Sequence, residues 1–345
     1  MLVADAVSIT VIRRGRRAID TVMTFVLLAV LMVVLAVVIG RDPFDAARLV
    51  THGIFGHAVI VLLGTACIKW SVARGQAVCG VVLTLSLSVV AVDAFLVEPT
   101  WLEVSRVRLT SSKLSQPLRI VLVADLQTDV IGDYEKEVLQ KVVDQKPDLI
   151  LMAGDYLHVH DDERRAELRG LLRNHLVRIG FGSPLGVYAV QGNTDSSDWP
   201  AIFKNLPVKA FKTTETVDVG PLRLTCLSES DSFDPRQRVE PVDRFHVVLG
   251  HAPDFALGPV QADLLVAGHT HGGQVRLPWF GPPVTLSRVP RAWAAGVTKL
   301  DPHRTLIVSR GIGMERSRAP RLRFLCRPQL VVIDVGPVGE VASRK

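Results

Sequence analysis

Two histidines one residue apart, His269 and His271, stand on a glycine-flanked turn, Gly268-His269-Thr270-His271-Gly272-Gly273-Gln274. The turn follows Asp263-Leu-Leu-Val-Ala267, a short apolar run of the kind that forms a buried strand. Imidazoles so spaced can point into one cavity, and glycines permit the close backbone approach that a metal or phosphate site needs. Alone, the same turn could simply carry two surface histidines. Four more apolar runs, however, end in polar turns. Ile120–Ala124 leads into Asp125-Leu126-Gln127, and Asp148–Ala153 into Gly154-Asp155. Gly186–Val190 leads into Gly192-Asn193-Thr194-Asp195, and Phe245–Leu249 into Gly250-His251. In layered α/β folds, ligands bind beyond the carboxyl ends of the strands. Five strands that bring Asp, Asp, Asn, His and His-x-His to one edge describe a site for two metal ions.

In this order the motifs resemble those of the calcineurin-like metallophosphoesterases: Asp-x-His, Gly-Asp, Gly-Asn-His-Asp/Glu, Gly-His and Gly-His-x-His. Gly268–Gln274, Val275-Arg-Leu-Pro-Trp279, Ser309-Arg-Gly-Ile-Gly313 and Arg327-Pro-Gln-Leu-Val331 resemble more narrowly a membrane-associated bacterial phosphodiesterase branch. The likeness covers residues 117–336. It implies hydrolysis of phosphate esters at two divalent ions about 4 Å apart, which clamp the phosphate and lower the pKa of a bound water. By the same resemblance Asp125, Gln127, Asp155 and His271 hold the first ion. Asp155 bridges to the second, which Asn193, His251 and His269 complete. Asp155, Asn193 and Thr194 are the expected catalytic residues. Mixed oxygen and imidazole donors suit Mn, Fe or Zn.

The sequence departs from the family pattern twice. Gln127 replaces a histidine with a weaker, neutral donor, and Thr194 replaces the histidine that helps protonate the leaving group. A hydroxyl can donate to a phosphate oxygen but is no general acid at pH 7. His158 and His160 are either a replacement acid or loop histidines. Asp195 is expected to orient the neighbouring ligands from behind. Asp129 either does the same for Gln127 or begins a loop. Arg310 and the arginines from Arg316 to Arg327 contact phosphate or anionic headgroups, or form a solvated rim. A reading of a different class follows from the two departures: a non-catalytic membrane receptor or scaffold that binds a phosphorylated ligand.

The elements that must position these residues occupy the latter two thirds of the chain. Alternating βα units followed by strand-rich sequence predict an α/β fold with two packed mixed sheets flanked by helices. Helices are expected at Asp133–Gln145, with Val138, Leu139, Val142 and Val143 on one face, and at Asp161–Val177, with Leu168, Leu171, Leu172 and Leu176. Gly220-Pro221 reads as a hairpin turn. The 48% apolar content is concentrated in the first hundred residues. There, Ile19–Ile39, Ile54–Ile68 and Ala77–Val97 read as membrane-spanning runs, the middle one borderline against a bilayer core of about 30 Å. The expected division is therefore a membrane region at 1–98, a connector at 99–117, a metallophosphoesterase domain at 118–336 and a tail at 337–345.

Arg13, Arg14, Arg16 and Arg17 before the first run place the N-terminus inside. Three crossings then make a multi-pass cell-membrane protein with its catalytic domain outside the cytoplasm; without a crossing by the middle run the domain falls in the cytoplasm. The expected partners are the lipid bilayer and a phosphoester substrate, with a lipid-linked one favoured by the anchoring. A net charge of +6 without an aromatic-interleaved basic patch gives no reason to expect nucleic-acid binding. Cys67, Cys79, Cys226 and Cys326 lack metal-ligand spacing and read as buried thiols, with a Cys226–Cys326 disulfide as the alternative.

Overall fold

A computed structural model describes residues 18–338. The arginines at 13–17 and all but the first two residues of the tail at 337–345 lie outside the described residues. The chain divides into two compact units, Met1–Val97 with Ser317–Arg321 and Glu98–Arg316 with Leu322–Lys345.

In the first unit, helices α1 (Ala18–Ile39), α2 (Pro43–His52), α3 (Ala58–Lys69) and α4 (Arg74–Val92) follow one another. Asp42 caps α2, its carboxylate accepting from the Asp45 backbone at 2.8 Å. A π-helical turn at Gly53–His57 joins α2 to α3, so the borderline middle run belongs to a 27-residue helical stretch, Pro43–Lys69. Arg74–Thr100 is another of 27 residues. Both are long and apolar enough to cross a membrane, each spanning about 40 Å at 1.5 Å per residue. Only 28% and 17% of their most apolar windows are buried, which is unlike the core helix of a soluble protein. At the α3–α4 crossing, a side chain on Gly80 would meet the Leu62 carbonyl at 3.2 Å and Ala66 at 3.3 Å. Small residues set such close helix contacts.

The second unit is built on two six-stranded sheets. The first has the order β1 (Glu103–Ser111), β12 (Gln329–Pro337), β2 (Leu118–Val123), β3 (Leu149–Met152), β4 (Val187–Val190) and β5 (Val208–Phe211). The second runs β10 (Gly296–Lys299), β11 (Thr305–Val308), β9 (Leu264–Ala267), β8 (Phe245–Leu249), β7 (Leu222–Cys226) and β6 (Glu215–Val219). Side chains alternate across each strand. Ile120, Leu122, Leu149 and Leu151 accordingly point into the core between the sheets, with Val247, Leu249, Leu264 and Val266 facing them. Val121, Val123, Ile150 and Met152 face the other way. There they meet α5 (Asp133–Asp144) through Val138, Leu139 and Val142, and α6 (Asp162–Arg178) through Leu168, Leu172 and Leu176. With both faces covered, the central strands read as continuous apolar runs. Leu171, expected on the buried face of α6, is 45% exposed.

Two features differ from the sequence reading. The stretch 99–117, expected as a connector, carries β1, which pairs in parallel with β12 along nine residues. Its entry is fixed by Glu98, a buried carboxylate that accepts from the backbone of Leu325 at 2.8 Å and also from that of Cys326. Cys226 and Cys326 are both buried and both free thiols.

Candidate active site

Strands β2, β3 and β4 are parallel neighbours, as are β7, β8, β9 and β11 in the other sheet. Their carboxyl ends carry the polar turns singled out above, and the structure brings those residues together. Asp125, Asp155 and His271 each offer a ligand atom, and these atoms all lie within 4.8 Å of one another. His251 Nδ1 is 3.8 Å from Asp125 Oδ1, and its Nε2 is 3.6 Å from Asp155 Oδ2. The rings of His251 and His269 are 5.0 Å apart. Asn193 is exposed and opens the site to solvent.

The backbone is forced into place here. Asp125, Gln127, Asp155, His269 and His271 all have φ between 33° and 68°, a left-handed conformation that costs side-chain-bearing residues about 1–3 kcal/mol each. Hydrogen bonds hold the turns. The Asp125 carboxylate accepts from the His269 backbone at 2.9 Å, and the Gln127 backbone N–H donates to the Asp155 carbonyl at 2.7 Å. Asp195 accepts from the backbone N–H groups of Asp155, Tyr156 and Gly192, each at 2.8 Å. Its orienting effect thus runs through the backbone of two turns. Gly192 permits that approach, because a Cβ there would lie 2.1 Å from Asp155 Oδ1 and 2.3 Å from Asp155 N. Gly192→Ala is therefore expected to lower the unfolding free energy by about 1–3 kcal/mol, the usual cost of overpacking, read as a fall in denaturation midpoint.

The donor set fits divalent cations. His271 is buried, yet neither of its ring nitrogens has a hydrogen-bond partner, and Gln127 Oε1 is equally orphaned. Leaving such atoms unpaired costs about 1–3 kcal/mol each. His251 sharpens the point: its Nδ1 donates to the Ala153 carbonyl at 2.7 Å, so its bare Nε2 faces Asn193 Oδ1 at 2.8 Å. Lying side by side, these two atoms could both ligate one cation. His269 uses Nε2 against the Leu286 carbonyl at 3.2 Å, which leaves Nδ1 as its donor atom. Burial, then the neighbouring Asp155 charge, pushes the Asp125 carboxyl well above the carboxylate range, and Asp195 likewise. Burial and the neighbouring His251 depress His269 to about 4. Burial and Arg323 hold His271 well below its usual value. Imidazoles held neutral are free to ligate, and acids that burial and mutual repulsion keep from ionising are the groups whose negative charge a bound cation would stabilise.

Gln127 has a partner that sequence reading missed. Its Nε2 donates to Glu315 Oε2 at 3.0 Å and lies 3.2 Å from His158 Nδ1. Glu315 is raised to about 7, chiefly by burial. A carboxylate gripping the amide nitrogen turns the amide oxygen the other way, and that oxygen is the orphan. Glu315 is the carboxylate that bonds the Gln127 side chain, and Asp129 lies 3.4 Å from Arg316. His158 also lies 3.4 Å from Glu315 and packs edge-on to His160 with ring centroids 5.6 Å apart.

Two of the arginines differ from expectation. Arg323 is fully buried and donates to the carbonyls of Cys326, Arg310, Gly311 and Gly313, while Arg316 donates to the Gln127 carbonyl at 3.0 Å. Both bind backbone rather than form a rim. Arg310 lies 2.9 Å from Glu103, close enough to pair but not aligned for a hydrogen bond.

Strand ends, buried acids and imidazoles in this order define a calcineurin-like metallophosphoesterase domain, a phosphoester hydrolase. Residues 118–273 match that family, described as calcineurin-like phosphoesterase. The chain is 28% identical over 218 residues to the uncharacterized metallophosphoesterase YkuE of Bacillus subtilis, covering 58% of this chain and 72% of that one. It is 27% identical over 258 residues to the phosphodiesterase YaeI of Escherichia coli, covering 69% and 90%. The metallophosphoesterase YkoQ of Bacillus subtilis is 29% identical over 180 residues, covering 47% and 63%.

Proposed function

We propose that the chain is a membrane-anchored, metal-dependent phosphodiesterase acting at a pair of divalent ions. The observation that carries this reading is the buried convergence of Asp125, Asp155 and His271, with both nitrogens of His271 unpartnered. Asp125, Gln127, Asp155 and His271 would hold one ion, and Asp155, Asn193, His251 and His269 the other. When bound, the ions supply positive charge to the phosphoryl oxygens and acidify a water enough to attack at neutral pH. Mn, Fe or Zn suits the mixed donors.

The chain's own groups do the rest. The Thr194 backbone N–H donates to Asp155 Oδ1 at 2.8 Å and holds the bridging carboxylate in one orientation. The Thr194 hydroxyl is buried and unpartnered, so it is available to a phosphoryl oxygen. It cannot protonate a departing alkoxide, which favours substrates whose leaving groups depart with little help. The phosphodiesterase name of the Escherichia coli relative supports a diester. Two apolar helical stretches of 27 residues support an anchor, and anchoring favours a lipid-linked phosphoester. We place the membrane region at 1–98, with three crossings, and the domain outside the cytoplasm. Lys69 and Arg74, between the second and third crossings, lie on the side of the N-terminal arginines.

The full-length chain in detergent, supplied with Mn²⁺, should hydrolyse bis(p-nitrophenyl) phosphate, and a chelator should abolish the activity. A folded wild type that binds phosphorylated ligands but hydrolyses no ester tried would replace this reading with the receptor. For the topology, a reporter active only outside the cytoplasm, fused after Lys345, should give signal. Signal solely from a cytoplasm-dependent reporter would move the domain inside.

A further inference from the structure

The segment after the His-x-His turn is not used by the chemistry above, and it carries the most exposed large apolar side chain among the described residues of the second unit. Leu277 and Gly281 exchange backbone hydrogen bonds of 2.9 Å in both directions, closing a tight hairpin. Trp279 stands at its tip, fully solvent-exposed at 103% relative area, and Phe280 beside it is 56% exposed. Val284 and Leu286, on the descending limb, are 50% and 47% exposed. Trp279 has φ 63°, a left-handed conformation uncommon for a bulky residue. Pro278, Pro282 and Pro283 stiffen the tip.

The hairpin is fastened to the metal-site turn. Gly273, at φ 85°, lies against it so closely that a Cβ there would sit 2.3 Å from Pro282 and 2.8 Å from the Val284 carbonyl. His269 Nε2 meets the Leu286 carbonyl at 3.2 Å, and Asp254 accepts from Ser287 at 2.6 Å. A group bound at the tip is therefore held beside the mouth of the site.

We infer that this hairpin is a membrane-docking element that seats Trp279 and Phe280 at the surface of an anionic lipid bilayer. An indole and a phenyl ring on a rigid tip match the headgroup level, where aromatic side chains concentrate. The charge is complementary: between Asp263 and Asp301 the sequence has no acidic residue, while Arg276, Arg288, Arg291 and Lys299 are basic. The Arg291 guanidinium lies 4.5 Å from the Phe280 ring centroid, so a cation accompanies the aromatic pair. Basic residues near a membrane surface are drawn to anionic lipid. The apolar helices of the same chain provide a tether that keeps a bilayer within reach. The inference rests on the membrane-anchored reading above, and it adds a reason for a lipid-linked substrate: the docked tip would present headgroup phosphates to the adjoining site.

The test uses the full-length chain reconstituted in phosphatidylglycerol–phosphatidylcholine vesicles, with and without brominated acyl chains. Trp279→Phe, a conservative change at an exposed position, isolates the signal of one tryptophan among five. The fluorescence lost in Trp279→Phe should be more than half quenched by brominated lipid and several-fold less quenched by aqueous iodide than free tryptophan. An indole that iodide quenches as readily as free tryptophan and that brominated lipid leaves untouched would overturn the proposal, and would point to a protein partner or to none. This readout is independent of turnover. A hydrolytically inert chain with lipid-quenched Trp279 sinks the enzyme reading and keeps the docking. An active chain with iodide-accessible Trp279 does the opposite.

Discussion

Asp155→Asn is expected to leave a folded protein that has lost hydrolysis by about 10³-fold or more. Each 1.36 kcal/mol is tenfold, and ions at such a site contribute several kcal/mol of charge stabilisation. The substitution is nearly isosteric, so the hydrogen bond from Thr194 N to Oδ1 and the packing under Gly192 can persist. What disappears is the negative charge shared by two cations. Metal content should fall with activity, because Asp155 is the one carboxylate assigned to both ions. Full metal occupancy with near-normal turnover in this variant would remove Asp155 from the bridging position.

Glu315→Ala is expected to weaken metal binding about 10–100-fold, the usual consequence of deleting a group that orients a ligand. The loss should appear as a rise in the Mn²⁺ concentration needed for half-maximal binding, followed calorimetrically, with turnover largely recovered at saturating metal. The mechanism is specific. Without the carboxylate the Gln127 side-chain amide loses the contact that sets its orientation, and its nitrogen and oxygen can exchange places. Glu315→Gln keeps an acceptor for the amide and should recover most of the affinity, which separates hydrogen bonding from charge. Gln127→His, which restores an imidazole, should lower the Mn²⁺ requirement. Equal Mn²⁺ affinities in wild type and Glu315→Ala would show that Gln127 needs no such support.

The strands and the site turns were legible because their signal is local. An apolar run such as Ile120–Ala124 followed by Asp125 carries its own strand and its own ligand, and parallel pairing brings such turns to one edge without further instruction. The helices α5 and α6 were legible from their apolar periodicity for the same reason. Pairings between distant segments left no such mark. Strand β1 is polar on alternate positions and finds β12 more than two hundred residues later, so 99–117 resembled a linker. Glu315 sits in Met314-Glu315-Arg316, outside any periodic run, and reaches Gln127 across 188 residues. Nothing within either segment announces the other. Arg323 shows the converse: a charged residue among other arginines reads as surface, and only the fold reveals the four carbonyls that it serves. The departure at Gln127 was the available clue, since an amide in place of an imidazole needs an acceptor to choose its orientation.

The central claim is that Asp155 joins two cations in one buried site. It is tested most directly by electron paramagnetic resonance of the full-length chain loaded with Mn²⁺. The account predicts two Mn²⁺ per chain with the exchange-coupled spectrum of a bridged pair, converted by Asp155→Asn to uncoupled signals. A fully active wild type showing only isolated, uncoupled Mn²⁺ would contradict it.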